Sequence, residues 1–151
     1  MNTKFTADLD FTGFEEYLHF VKINLMRDEE GFAPMIEPSY NAAHYTFAFP
    51  NGYGASVSKV TEITCGWDRD LWEVAVLTVD RIENKDWRPE YLETWGRKPI
   101  EWDYNITYNT PITNDVIGYI TDEEVRNVLK QIKNLPNRED WCYVDFLDKW
   151  Y

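Results

Sequence analysis

The chain has little of what metal centres, disulfide scaffolds and membrane spans require. Its two cysteines, Cys65 and Cys142, lie far apart and in no C-x-x-C pair. That is too few for a disulfide framework or a thiolate zinc site, and both read as reduced thiols. Only two histidines are present, His19 and His44, and neither stands with a nucleophile in a catalytic signature. No run approaches the ~20 apolar residues of a bilayer span. The opening "MNTKFTADLDF" lacks the basic head and apolar stretch of a secretory leader. These absences lead to the expectation of a cytoplasmic protein with no membrane contact, no metal and no cofactor.

Basic residues are also scarce. Fifteen Lys and Arg against 27 Asp and Glu leave a formal net charge of −12 at pH 7. A field of that sign repels phosphate backbones and disfavours direct duplex DNA binding. It suits either the solubility of a Trp-rich protein or contact with a basic surface, such as the nucleic-acid channel of another protein. The Lys and Arg are interleaved with the acids, which weighs toward solubility.

Aromatic residues are plentiful, with seven Trp, ten Tyr and eight Phe, and 44% of the chain is hydrophobic. Such a composition folds despite the charge. A length of 151 residues suits one domain with one core. Thr12-Gly13-Phe14-Glu15 has capping-box spacing, and Phe14, Tyr17, Leu18, Val21 and Leu25 follow at helical intervals, which predicts an N-terminal helix ending near Gly31. After the prolines of "FAPMIEPSY" (32–40) the period becomes two, and 44–49, 55–63, 71–79 and 100–108 read as four strands.

Gly52 and Gly54 in "FPNGYGASV" (49–57) raise the question of a phosphate loop. Such a loop opens a helix, whereas this one joins two strand-like runs, so Asn51-Gly52 is expected to make a type I′ hairpin turn. Thr121-Asp122-Glu123-Glu124 is a second capping box. It precedes Val125, Val128, Leu129, Ile132 and Leu135 on one face, with Pro136 closing the helix. The segment 138–151 reads as a short aromatic helix.

Two groups of residues could carry function. Asp68, Asp70 and Glu73 lie beside a strand and could hold Mg²⁺ or Mn²⁺ in a hydrolase or nuclease, although Asp is also a common turn residue. Trp87, Arg88, Tyr91, Trp95 and Trp102 lie in and just after a polar insertion at about 81–101, with the composition of an interface anchor. The spacing of four between Trp87, Tyr91 and Trp95 equally suits a short helix packed on the sheet, and both readings stay open.

"YTFAFPNGYGASV", "LWEVAVL" and "ITYNTPITNDVIGYITDEEVRNVLKQIKNL" resemble a family of small uncharacterised bacteriophage and prophage proteins. The resemblance covers about half the chain. It implies a core at 41–135, with additions at 1–40, in the insertion at about 81–101 and at 138–151. It also implies an anti-defence role, anti-CRISPR action included, in the cytoplasm of a bacterial host.

The expected fold is therefore a single α+β domain over 1–151. A four-stranded antiparallel meander is covered by the helix at 122–135 and completed by the N-terminal helix. The expected function is non-enzymatic: an inhibitor that binds a bacterial defence protein, or its nucleic-acid-binding surface, through aromatic residues and an acidic face. A metal-dependent hydrolase and an oligomeric nucleotide-messenger sponge are the alternatives, and the sequence leaves monomer and homodimer open.

Overall fold

The computed structural model describes residues 4–26, 40–82, 88–91 and 101–138. The alternating runs form strands β2 (Ala42–Ala48), β3 (Tyr53–Val60), β4 (Trp72–Ile82) and β5 (Glu101–Ile106) of the expected meander. Two further strands join them, β1 (Leu18–Asn24) and β6 (Ile117–Ile120), followed by one helix, α1 (Asp122–Lys133). The class is α+β, with a sheet of six strands in place of four.

The antiparallel order is β1-β2-β3-β4-β5, and β6 also pairs with β4. β4 is long enough to serve both late strands along one edge. Its second half, Leu77 to Ile82, takes β5, and its start, Trp72 and Val74, takes β6. The sheet curls into a half-barrel. In a flat sheet β1 and β5 would lie roughly 19 Å apart, four spacings of about 4.8 Å. Here His19 Nδ1 on β1 is 2.8 Å from the Tyr104 hydroxyl on β5.

The N-terminal helix expected from Thr12 onward is replaced by an extended arm, a single 3-10 turn at Glu15–Tyr17, and β1. The side chains of the supposed capping box bond elsewhere. Thr12 Oγ1 donates to Asp10 at 2.6 Å, and Glu15 accepts from the Gly13 amide at 3.0 Å. Leu18 to Asn24 then pair with Phe47 to Ala42. Aromatic and β-branched residues suit that pairing, and the edge of β2 requires partners for its peptide groups.

One face of the sheet carries the main core. Tyr45, Phe47 and Phe49 join Ala55, Val57, Trp72, Val74 and Val76 beneath Val125, Val128, Leu129 and Ile132 of α1. Those helical residues are the face read from the sequence, and the second capping box is present in both directions. The extended arm adds Leu9, with Phe5, Phe11 and Phe14 packed beside it. The opposite, inner face of the curl holds a smaller cluster of Ala48, Leu77 and Val79, flanked by Trp102 and Tyr104.

The glycine-bearing hairpin closes differently from a type I′ turn. The Phe49 amide donates to Tyr53 O at 2.8 Å and the Gly52 amide to Phe49 O at 3.1 Å, leaving a three-residue loop of Pro50, Asn51 and Gly52. Gly52 is left-handed at φ 89°. Pro50 fixes its own φ at about −65°, which starts a type I turn and leaves the left-handed position to the glycine. Gly54 has another reason to lack a side chain, since a Cβ there would strike Phe47 O and approach Val79 Cγ2.

Asn51, freed from a left-handed turn position, is buried and caps the far end of the helix. Its amide nitrogen donates to Ile132 O at 2.8 Å and Leu135 O at 3.0 Å, while its oxygen accepts from the Tyr53 amide at 3.0 Å. Arg138 completes the clasp, with its amide on Asn51 O and its guanidinium on Gly52 O, Val79 O and Asp80. Asn51→Ala removes the bonds to the Ile132, Lys133 and Leu135 carbonyls and strands the Tyr53 amide, so it should lower the unfolding free energy by about 2 kcal/mol in a urea titration. Asn51→Asp should cost at least as much, because it sets a carboxylate against those carbonyls.

Candidate functional site

The positions of β3 that face the main core beneath α1 run Ala55, Val57 and then Lys59, which is only 1% exposed. A buried ammonium must be paired and hydrogen-bonded. Lys59 Nζ donates to Asp70 Oδ1 and to Thr6 O, each at 2.8 Å, and lies 4.2 Å from the centroid of the Trp72 ring. Asp70 also accepts from the Thr6 amide and hydroxyl, both at 2.6 Å. It is presented by the turn at Trp67–Arg69, beyond which Asp70 itself is left-handed at φ 57°. Burial pushes the Asp70 carboxyl upward, but hydrogen bonds from Lys59 and Thr6 outweigh it and hold the group below its ordinary range.

The three acidic residues that the sequence offered as metal ligands therefore have separate roles. Asp70 is committed to Lys59 and Thr6, Asp68 is exposed, and Glu73 accepts from the Cys65 amide at 3.3 Å. Among the described residues no three of His, Cys, Asp and Glu stand where they could hold one ion. Cys65 is exposed, but its hydrogen bond to Glu73 pushes the thiol up, away from the nucleophilic thiolate.

The network continues from Trp72 to the surface. Its indole nitrogen donates to Asp122 Oδ1 at 2.7 Å, and Asp122 Oδ2 accepts from the Asp10 amide at 2.9 Å. Arg126 bonds Asp10 O at 2.8 Å and pairs with its carboxylate at 3.1 Å. The Thr12 hydroxyl and amide lower the Asp10 pKa and keep it ionised. The arm and the first turn of α1 thus carry an acidic ridge of Asp8, Asp10, Asp122, Glu123 and Glu124, in which Asp10 and Asp122 are held by hydrogen bonds.

The inner face of the curl holds the two histidines. His19 packs on Trp102 with ring centroids 5.2 Å apart and bonds Tyr104, whose hydroxyl is pushed up to about 12 by burial. His44 Nε2 is 2.8 Å from Ser56 Oγ, and burial lowers its pKa. The partners in these two bonds are the hydroxyl groups of a tyrosine and a serine.

Of the residues read as a partner-binding group, Trp87 and Trp95 lie outside the described residues, as does the segment from 139 onward. Arg88 is exposed, just before a 3-10 turn at Pro89–Tyr91. Trp102 is half-buried against His19 and sits opposite Arg81 in the β4–β5 ladder. Among the described residues no helix is long and apolar enough to cross a membrane. Comparison with protein-family models, with curated proteins and with solved structures finds no match.

Sequence reasoning missed Lys59, although a signal was there: a cation at a core-facing strand position, two residues beyond Val57. Asp70→Ala leaves its ammonium buried and half-satisfied and should cost about 3 kcal/mol of stability at neutral pH. The folded-state pKa of Asp70 is depressed, so its contribution is complete above the unfolded carboxylate pKa and fades as pH falls through the folded value. The gap in unfolding free energy between wild type and Asp70→Ala should accordingly be constant from neutral pH to about pH 5 and narrow below about pH 4.

Proposed function

We propose that the chain is a non-enzymatic inhibitor that binds and occludes a bacterial defence protein, such as a CRISPR effector, during phage infection. The observation that carries this reading is the fixed acidic ridge. Asp10 and Asp122 are joined by a hydrogen bond and tied through Trp72 to the buried Lys59, so their charges are presented in one arrangement. A prearranged row of carboxylates complements a surface built to hold a phosphate backbone, and binding to it loses little conformational freedom. The net charge of −12 steers the encounter with a basic partner. The resemblance to phage proteins supplies the biological setting. Trp87, Arg88, Tyr91, Trp95 and Trp102 are the proposed aromatic anchor.

Expressed in a host whose CRISPR or restriction system blocks a test phage, the chain should restore plaque formation. The double variant Asp8→Lys, Glu123→Lys changes exposed acids outside the hydrogen-bond network. It should reduce protection by about tenfold, the equivalent of 1–2 kcal/mol lost from charge contacts. Trp87→Ala with Trp95→Ala should remove about 2 kcal/mol of binding if those rings are anchors, with the melting temperature preserved. Absence of protection against every defence system tried sinks the inhibitor reading.

A further inference from the structure

β1 is an edge strand: β2 pairs with one side of it, and among the described residues no strand pairs with the other. An open edge invites another chain, and proteins blunt such edges with charge, bulges or cover. This edge is unusual for so acidic a protein. Residues 18–26 hold no carboxylate and one charge, Lys22. Phe20, Val21, Ile23, Leu25 and Met26 are each between 38% and 51% exposed.

Their order is self-complementary. "FVKINLM" (20–26) reads apolar, apolar, polar, apolar, polar, apolar, apolar, the same in both directions about Ile23. We infer that two copies of this chain pair antiparallel through β1, with a two-fold axis at Ile23. Such an axis, normal to the sheet, continues each face of one copy into the same face of the other, so partners must have the same parity along the strand.

Centred on Ile23, the pairing sets Ile23 against Ile23, Val21 against Leu25 and Phe20 against Met26, an aromatic beside a thioether. Lys22 then lies opposite Asn24, with which it has no quarrel of charge. A register centred on Lys22 sets two ammonium groups face to face, and one centred on Val21 sets Leu25 and Met26 against Tyr17 and Glu16, which lie in the 3-10 turn before the strand. The contact of β1 with β5 is made at His19, before this stretch begins. An extended segment of an unrelated protein has no reason to match the symmetry about Ile23, whereas a second copy matches it by construction.

A strand pair of this length is at the small end of specific interfaces, so the dimer should be reversible. Sedimentation of the full chain should show a concentration-dependent rise from 18.0 kDa toward twice that mass. In a background carrying Cys65→Ser and Cys142→Ser, Ile23→Cys should oxidise to a covalent dimer, because opposed residues lie within disulfide reach. Lys22→Cys alone should not, and Lys22→Cys with Asn24→Cys should. Ile23→Lys should be monomeric with an unchanged circular dichroism spectrum. A chain that stays monomeric and uncrosslinked at every concentration overturns the proposal. A dimer that survives Ile23→Lys, or crosslinking by Lys22→Cys alone, overturns it equally.

Discussion

The ammonium of Lys59 is the constraint around which much of the described structure is arranged. A charge of this kind inside a core costs several kcal/mol unless its hydrogen-bond capacity is filled. Here a main-chain oxygen from the N-terminal arm fills it together with a carboxylate and an indole face from the turn and the start of β4. Thr6 must bring the N-terminal arm across the sheet in extended form. Asp70 must sit in a left-handed conformation that L residues adopt at a cost of about 1 kcal/mol. Trp72 must lie flat enough to receive the cation and still direct its N–H at Asp122. The start of α1 is thereby fixed by the same group that fixes the arm, and the acidic ridge inherits its rigidity from a cation it never touches.

The curl of the sheet follows from a different economy of side chains. Ala48, Gly54, Ser56 and Ala75 place small groups on the inner face, where β1 and β5 approach, while Trp72, Phe47 and Phe49 crowd the outer face beneath α1. Large residues on one side and small ones on the other bend the sheet toward the small side. His19, Trp102 and Tyr104 then close one end of the trough. Trp102 is therefore both part of this closure and a member of the aromatic group proposed to bind a partner.

What was legible in the sequence is what local chemistry decides. The capping box at Thr121 and the stripe from Val125 to Ile132 formed as read, because neither depends on distant residues. The meander formed because its alternation is strong from Ala42 to Val60. β1 was misread because Phe14, Tyr17, Leu18, Val21 and Leu25 fit a helical interval, while the peptide groups that decide the matter belong to β2. β6 was hidden among turn formers, since only four residues pair and only the start of β4 holds them. The role of Asn51 was equally invisible: its partners are carbonyls at and just beyond the end of a helix more than eighty residues later. A separation of 64 residues, from Thr6 to Asp70, hid the Lys59 site and made Asp70 look available to a metal.

Two proposed surfaces, the ridge and the β1 edge, place opposite demands on the same net charge. Carboxylates on the arm and α1 attract a basic partner, and that attraction weakens as salt shortens the screening length. Pairing at β1 buries apolar side chains and no carboxylate, yet it must bring together two bodies each carrying −12, so salt strengthens it by screening the repulsion. The absence of acids from 18–26 keeps the local contact free of like charges, but it cannot remove the long-range term. A basic partner can remove it. Neutralising the ridge lowers the charge each copy presents to the other, so binding at one surface favours pairing at the second through electrostatics alone, with no change of shape required.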